Sequence, residues 1–110
     1  MRLSSTYTLI TFDRFFQRFT GLIGSKTIHP RHVFHFVPCN SIHTVGMAVP
    51  LTVIFLDRQL RILRVIFHLA PLRVAWDKRA WSVLELRAGS ITSNRQAQQL
   101  VASLLPANMI

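Results

Sequence analysis

The sequence has one cysteine and very few acidic residues. Its 110 residues include four Asp and Glu against 13 Lys and Arg, which gives a formal net charge of +9. Because Cys39 has no second cysteine with which to pair, an internal disulfide is excluded and nothing favours an oxidising compartment. Because there are so few carboxylates, few candidate pairs exist for hydrolysis by two carboxylates. Phosphate-cradling glycine loops, nucleophile elbows and zinc-protease motifs are missing as well, so enzyme activity is the minority interpretation.

A long hydrophobic run is also missing. The longest uncharged apolar stretch, residues 45–56, contains Pro50 and is well short of the ~20 apolar residues that span a bilayer. Near the start, residues 6–8 are Thr, Tyr and Thr, which interrupt the apolar core that a secretion signal needs. We therefore expect no transmembrane segment and a cytoplasmic location.

The composition is that of a globular domain. Half of the residues are hydrophobic and 15% are charged, far from the polar make-up of disordered chains. The length is close to the commonest domain size. We therefore predict a single domain over residues 1–110, with one hydrophobic core and no internal linker.

The hydrophobic pattern predicts strands in the middle of the chain and a helix near each end. Phenylalanines from Phe12 to Phe19 recur at helical spacing, and a second apolar stripe runs from Ala97 to Leu105, with Asn94 as the predicted cap. Between them lie segments of strand composition. The predicted strands are residues 7–11, 32–37, 51–56, 61–69 and 80–87. The expected fold is mainly β (α+β), a small barrel-like mixed sheet with one N-terminal and one C-terminal helix.

The positive charge is spread along the chain. The longest basic run is Lys78-Arg79, and the aromatic residues do not interleave with the basic ones as they do in single-strand RNA readers. A solvated basic surface is therefore the favoured interpretation. Charge-driven binding of nucleic acid or anionic lipid stays open, and it predicts an affinity that falls steeply with salt.

Four segments, in order and at matching spacing, resemble one uncharacterised prokaryotic family, domain-of-unknown-function family 192. They are residues 18–22 (RFTGL), 38–47 (PCNSIHTVGM), 49–57 (VPLTVIFLD) and 83–89 (VLELRAG). The resemblance covers about residues 7–90 and leaves 91–110 as a divergent C-terminal helix. It implies a compact, mainly β, barrel-like fold and supplies no established activity.

The resemblance also implies structural roles for several residues. These are Arg18, Gly21, Leu22, Pro50, Asp57 and Gly89. Three departures from the family pattern stand out. Thr52 replaces a common Asp, the closing Gly-Asp element is absent after Ser90, and Leu60 replaces the Gly of the Asp57 turn, which predicts a different turn geometry.

Two residues could begin a chemical site. Cys39 and His43 could form a thiolate–imidazole pair or part of a metal centre, but two ligands are too few for zinc. His32 and His35 are three apart in a predicted strand and therefore point to opposite faces. The prediction is no metal and no cofactor, and a metal-dependent or thiol enzyme centred on Cys39 and His43 remains the alternative.

The preferred hypothesis is a small binding or accessory module for an unknown protein or small ligand. Its recognition surface would be the irregular segment 39–47 carried on a rigid β scaffold. The candidate surface residues are Cys39, Ile42, His43, Thr44, Met47, Arg73 and Glu85. Because a carboxylate in a covered strand needs a partner, we further predict that Glu85 pairs with Arg18, Arg73 or His43. The sequence leaves the oligomeric state open.

Overall fold

The computed structural model describes residues 7–12 and 28–106. These residues form seven strands and one helix. The elements are β1 (Thr8–Phe12), β2 (His32–Phe36), β3 (Ser41–His43), β4 (Leu51–Leu56), β5 (Ile62–Leu69), β6 (Val74–Trp76), β7 (Ser82–Arg87) and α1 (Asn94–Leu104). All five predicted strands are present, each within two residues of its expected bounds. The predicted N-terminal helix lies outside the described residues.

Five strands form one mixed sheet in the order β1-β2-β7-β4-β5. β1 runs parallel to β2, and the other neighbours are antiparallel. β4 is buried along its whole length, as expected for a central strand whose side chains are apolar on both faces. The predicted closed barrel is wrong for the described strands, because β1 and β5 lie at opposite edges instead of pairing with each other.

A second, two-stranded antiparallel sheet pairs β3 with β6. Neither strand was predicted, since 39–47 was interpreted as an irregular loop. Each strand has three residues, which is too short for an alternating pattern to stand out. Ile42 and Ala75 face each other across this sheet and are buried against the main one.

The main sheet carries a hydrophobic cluster on each face. One face packs beneath the β3–β6 sheet, and its buried members are Ile28, Phe36, Cys39, Ile42, Met47, Leu51, Val53, Phe55, Leu69, Ala75 and Val83. The other packs beneath α1, with Val33, Ile54, Leu56, Leu84, Leu86, Ile91, Ala97, Leu100, Val101 and Leu105. The β3–β6 sheet therefore buries one apolar face of the main sheet and α1 buries the other, and the main sheet does not close on itself.

The C-terminal helix is confirmed, although its cap lies one residue earlier than expected. Ser93, not Asn94, is the cap, and its hydroxyl accepts a hydrogen bond from the Gln96 amide at 3.1 Å. The Gln96 side chain reaches back and accepts from the Thr92 amide at 2.8 Å. The first bond satisfies an amide that the first helical turn leaves unpaired, and the second ties the residue before the cap to the helix.

Leu60, in the Asp57 turn, has a left-handed backbone. Its φ is 63°, a conformation that glycine adopts without steric cost. The backbone takes a conformation that leucine disfavours by roughly 1–2 kcal/mol. Side-chain burial offsets part of this cost, because Leu60 packs against the cluster under α1.

The residues with family-implied structural roles fall in two groups. Asp57 accepts hydrogen bonds from the amides of its own turn, Gly89 has a φ of 106°, and the Pro50 carbonyl accepts from the Ala88 amide at 3.1 Å. Arg18, Gly21 and Leu22 lie outside the described residues.

Candidate functional site

The β3–β6 sheet and the residues next to it carry exposed apolar side chains. Among the described residues, the exposed large hydrophobics are Val45 (59%), Leu72 (70%), Val74 (60%) and Trp76 (64%); we call them the apolar face. Strand alternation explains the arrangement. Ala75 points into the core, so Val74 and Trp76 point outward, where they pair with His43 and Ser41.

Thr44 holds the segment before β6 against the end of β3. Its hydroxyl donates to the Ala70 carbonyl at 2.7 Å and accepts from the Arg73 amide at 2.9 Å. Its own amide donates to the Arg73 carbonyl at 2.9 Å, and its carbonyl accepts from the Leu72 amide at 3.3 Å. Thr44 is completely buried, so it positions Leu72 and is not itself available to a partner.

Leu72 is held in an unfavourable backbone conformation while its side chain faces solvent. Its φ is 62°, in the left-handed region that costs a non-glycine residue roughly 1–2 kcal/mol. Unlike Leu60, it has no compensating burial. A position that is unfavourable in both respects is a candidate for a functional constraint.

Cys39 and His43 lie on different sides of the small sheet. Cys39 is buried, and its thiol donates to the Ser41 carbonyl at 3.1 Å. His43 is exposed, and its Nδ1 accepts from the Val45 amide at 3.3 Å. Over residues 7–12 and 28–106, no three His, Cys, Asp or Glu side chains come together as metal ligands would.

The predicted recognition surface is therefore only partly at the surface. His43 and Arg73 are exposed, whereas Ile42, Met47 and Glu85 are buried. The physical reason is that the segment 39–47 contains a strand, which sends alternate side chains inward. The apolar face was missed because no strand was predicted at Val74–Trp76.

Glu85 is a buried carboxyl without an ionic partner among the described residues. It lies in β7 opposite Phe34 and Val53, is 2% exposed, and its Oε1 has no hydrogen bond to any residue that the structure describes. Burial raises its pKa to about 8, so the carboxyl is mostly protonated at neutral pH. The predicted pairing with Arg73 or His43 is wrong, because both side chains are exposed; the third candidate, Arg18, lies outside the described residues.

His35 is a second buried titratable group, on the opposite face of the main sheet. It pairs with Leu84, is 4% exposed, and neither ring nitrogen has a hydrogen-bond partner among the described residues. Its neighbour His32 instead stacks with His29 at a ring distance of 4.7 Å, as expected if His32 and His35 point to opposite faces. Burial lowers the pKa of His35 from 6.5 to about 4.

This shift predicts acid destabilisation. Between about pH 6.5 and 4 the unfolded chain binds a proton at His35 and the folded chain does not, so stability falls as the pH falls through that window. We expect His35→Phe to remove roughly 2 to 3 kcal/mol of this loss, measured as urea unfolding free energies at several pH values. His43→Gln, at an exposed site, is the control variant; an unchanged profile in His35→Phe would contradict the prediction.

The described structure is an open mixed sheet covered by a two-stranded sheet on one face and a helix on the other. This defines a small α+β domain with a surface of apolar side chains and without a cluster of converging catalytic groups among the described residues. The chain belongs to domain-of-unknown-function family 192 (DUF192, Uncharacterized ACR), whose sequence pattern matches residues 2–98. The match confirms the resemblance and extends it beyond the predicted 7–90 into α1. No curated protein matches the chain.

Two solved structures share the fold. A "putative transcription regulator" from Sinorhizobium meliloti superposes with a TM-score of 0.65 at 21% identity, over 76% of this chain and 70% of that one. A protein of unknown function from Novosphingobium aromaticivorans gives a TM-score of 0.65 at 15% identity, over 84% of this chain and 68% of that one. At these identities the likeness concerns the fold alone. Within the described residues, no helix has the length and apolar character required to cross a bilayer.

Proposed function

We propose that this domain is a non-enzymatic recognition module that binds a partner protein through the apolar face, in the cytoplasm. The partner segment would carry apolar side chains together with acidic ones. The observation that carries the proposal is the exposure of four large hydrophobics in one part of the fold: Val74 and Trp76 on the outer side of β6, and Val45 and Leu72 in the segments next to β3 and β6. Scattered exposed hydrophobics are ordinary on protein surfaces, whereas a contiguous group marks an interaction site.

The conformation of Leu72 supports this function. An exposed leucine with a φ of 62° contributes little to the core and costs backbone energy. Its local geometry is fixed by Thr44, which bonds both Leu72 and Arg73. Partner contact gives a reason for a leucine at a place where stability alone favours glycine or asparagine.

The surrounding charge supports an acidic component in the partner. The Arg64 guanidinium lies at the edge of β6, where its Nη1 donates to the Trp76 carbonyl at 3.5 Å. Arg73 is exposed between Leu72 and Val74. The nearby carboxylate of Asp77 is already paired with Arg79 at 2.7 Å. Acidic side chains in a partner would therefore meet unneutralised guanidinium groups.

Leu72→Asn is expected to separate stability from recognition. Asparagine tolerates the left-handed conformation, so we expect the free energy of unfolding to rise by about 1 kcal/mol, measured by urea denaturation. The matched control is Val45→Asn, which removes another exposed apolar side chain from a residue without a positive φ. A destabilised Leu72→Asn would contradict the strain argument.

Recognition itself can be tested with a random peptide library panned on the native protein, with counter-selection on Leu72→Asn/Trp76→Ser. We expect enrichment of peptides that combine apolar and acidic residues and that bind the double variant at least about tenfold more weakly, since exposed aromatic anchors dominate such interfaces. Peptides that bind native and variant protein equally, or no enrichment at all, would refute the apolar face as the recognition surface.

A further inference from the structure

Two connecting turns meet at one end of the molecule. Residues 57–61 join β4 to β5, and residues 77–81 join β6 to β7. They are neighbours, because the Trp81 amide donates to the Leu56 carbonyl at 2.8 Å. The Arg58 guanidinium carbon lies 5.8 Å from the centre of the Trp81 ring, within the range of a cation–π contact.

In each turn the aspartate side chain is largely buried and the arginine side chain faces solvent. In the first, Arg61 Nε lies 2.9 Å from Asp57 Oδ2, and the side chains are 74% and 17% exposed. In the second, Arg79 Nη2 lies 2.7 Å from Asp77 Oδ2, with exposures of 63% and 9%. Both carboxylates also accept backbone amides of their own turns. The two aspartates therefore stabilise the turns, while the guanidinium groups of the two arginines face solvent.

Two further cations on the same turns have no acidic partner in the described part of the chain. Arg58 and Lys78 are exposed, and neither takes part in an ion pair there. We call Arg58, Arg61, Lys78 and Arg79 the basic end. Its four cations meet the two aspartates Asp57 and Asp77, so an excess of positive charge remains on the outside.

Both tryptophans of the chain border the basic end. Trp81 lies beneath Arg58, and Trp76 directly precedes the second turn with its ring 64% exposed. No such grouping is visible in the sequence, because Arg58 and Lys78 are 20 positions apart. The fold alone brings cations and aromatic rings together.

We propose that the basic end binds single-stranded nucleic acid, with its cations on the phosphates and the Trp76 ring stacked on a base. Guanidinium groups match phosphate geometry, and an exposed indole accepts any unpaired base. This goes beyond protein recognition by the apolar face, whose other members, Val45, Leu72 and Val74, lie outside both turns. Only Trp76 belongs to both surfaces.

Tryptophan fluorescence reports directly on this surface, because the chain has two tryptophans and both lie there. Titration with an oligothymidylate of about 20 nucleotides is expected to quench the emission. With about three phosphates neutralised, log K should fall with log salt at a slope of about −2.

The charge-reversal variant Arg58→Glu/Lys78→Glu is expected to lose at least about tenfold in affinity. The matched control Arg31→Glu/Arg95→Glu makes the same change in net charge on exposed residues elsewhere, before β2 and on α1, and should stay within about twofold. Trp76→Leu should weaken binding about fivefold or more through lost stacking. Circular dichroism checks the fold of each variant. If the Arg58 change unfolds the protein, the single variant Lys78→Glu, at a solvent-exposed turn position, replaces the double variant.

Three outcomes would overturn the proposal. Equal weakening by the two double variants would mean diffuse attraction by net charge. Binding to phosphatidylcholine vesicles containing phosphatidylglycerol, but not to the oligothymidylate, would assign the surface to anionic lipid. An absence of quenching at low salt would leave the basic end without a nucleic-acid ligand.

Discussion

Replacing Glu85 by Gln is expected to remove a loss of stability that the native protein undergoes as the pH rises from about 4.5 to about 8. The folded carboxyl has a pKa of about 8, raised by burial from 4.5. Between these values the unfolded chain releases a proton that the folded chain retains, so the free energy of unfolding falls with rising pH. This is opposite in sign to the usual contribution of an ion-paired carboxylate.

The effect is large enough to measure directly. At pH 7 the proton retained by Glu85 costs about 3 kcal/mol relative to pH 4, which is a substantial part of a typical domain's stability. Urea unfolding of native protein and Glu85→Gln at a series of pH values should give curves that diverge above pH 5, with the variant the more stable at pH 8. The amide keeps the size and polarity of the side chain and cannot ionise.

Glu85→Leu provides the companion variant, because it removes the polar atoms as well as the titration. Its pH profile should match that of Glu85→Gln, even if its absolute stability differs through packing. If the alkaline loss persists in both variants, a group other than Glu85 is responsible and the carboxyl is not held neutral by burial.

Replacing Thr44 by Val is expected to destabilise the protein by about 2 to 4 kcal/mol. Valine has nearly the same shape, but beside the fully buried Thr44 position it leaves the Ala70 carbonyl and the Arg73 amide without the hydroxyl that bonds both at present. A polar group left unsatisfied away from solvent costs about 1–3 kcal/mol. Urea unfolding at pH 6 measures the loss.

Thr52→Val is the matched control. Thr52 is equally buried, but within the described part of the chain its hydroxyl makes a single hydrogen bond, to the Phe67 carbonyl at 2.8 Å. Its loss should cost about 1 kcal/mol, the ordinary value for one bond. A Thr44→Val protein no less stable than Thr52→Val would show that Thr44 does not hold the segment before β6. A large loss would mean that binding defects at Thr44 cannot be taken as evidence of partner contact.

The main sheet could be predicted from the sequence because its strands are long enough to show their pattern. In residues 51–56 both alternating faces are apolar, which indicates a doubly covered strand, and the structure buries all six residues. Whether the sheet closes into a barrel could not be predicted from such strand patterns. Whether edge strands meet depends on twist and stagger accumulated over the whole sheet, and no local pattern encodes these quantities.

Sequence patterns could not predict the β3–β6 sheet. β6 is Val74–Trp76, three apolar residues in a row, and nothing in that run distinguishes the buried Ala75 from its exposed neighbours. Its partner β3 reads as a loop because Pro38, Cys39 and Asn40 precede it. The apolar face follows from the pairing of these two strands, so it could not be predicted before the pairing was known.

The contacts of the candidate site residues could not be predicted from the sequence either. Burial of Glu85 follows from the apolar residues on either side of it, but the expected salt bridge depended on a long-range contact that residue spacing does not specify. The basic end depends on the approach of two turns that lie far apart along the chain, at Arg58 and Lys78. Family membership was predictable for a different reason, since four short segments in fixed order are far more specific than any one of them.

The strand order also constrains how the protein can be made. β7, the last of the described strands, is inserted between β2 and β4, so β2 and β4 lack their shared neighbour until residues 82–87 have left the ribosome. Until then β2 and β4 each present an unpaired edge that can pair with other chains. Nascent chains truncated before Ser82 should therefore aggregate or bind chaperones, and the sheet can be completed only after β7 has emerged.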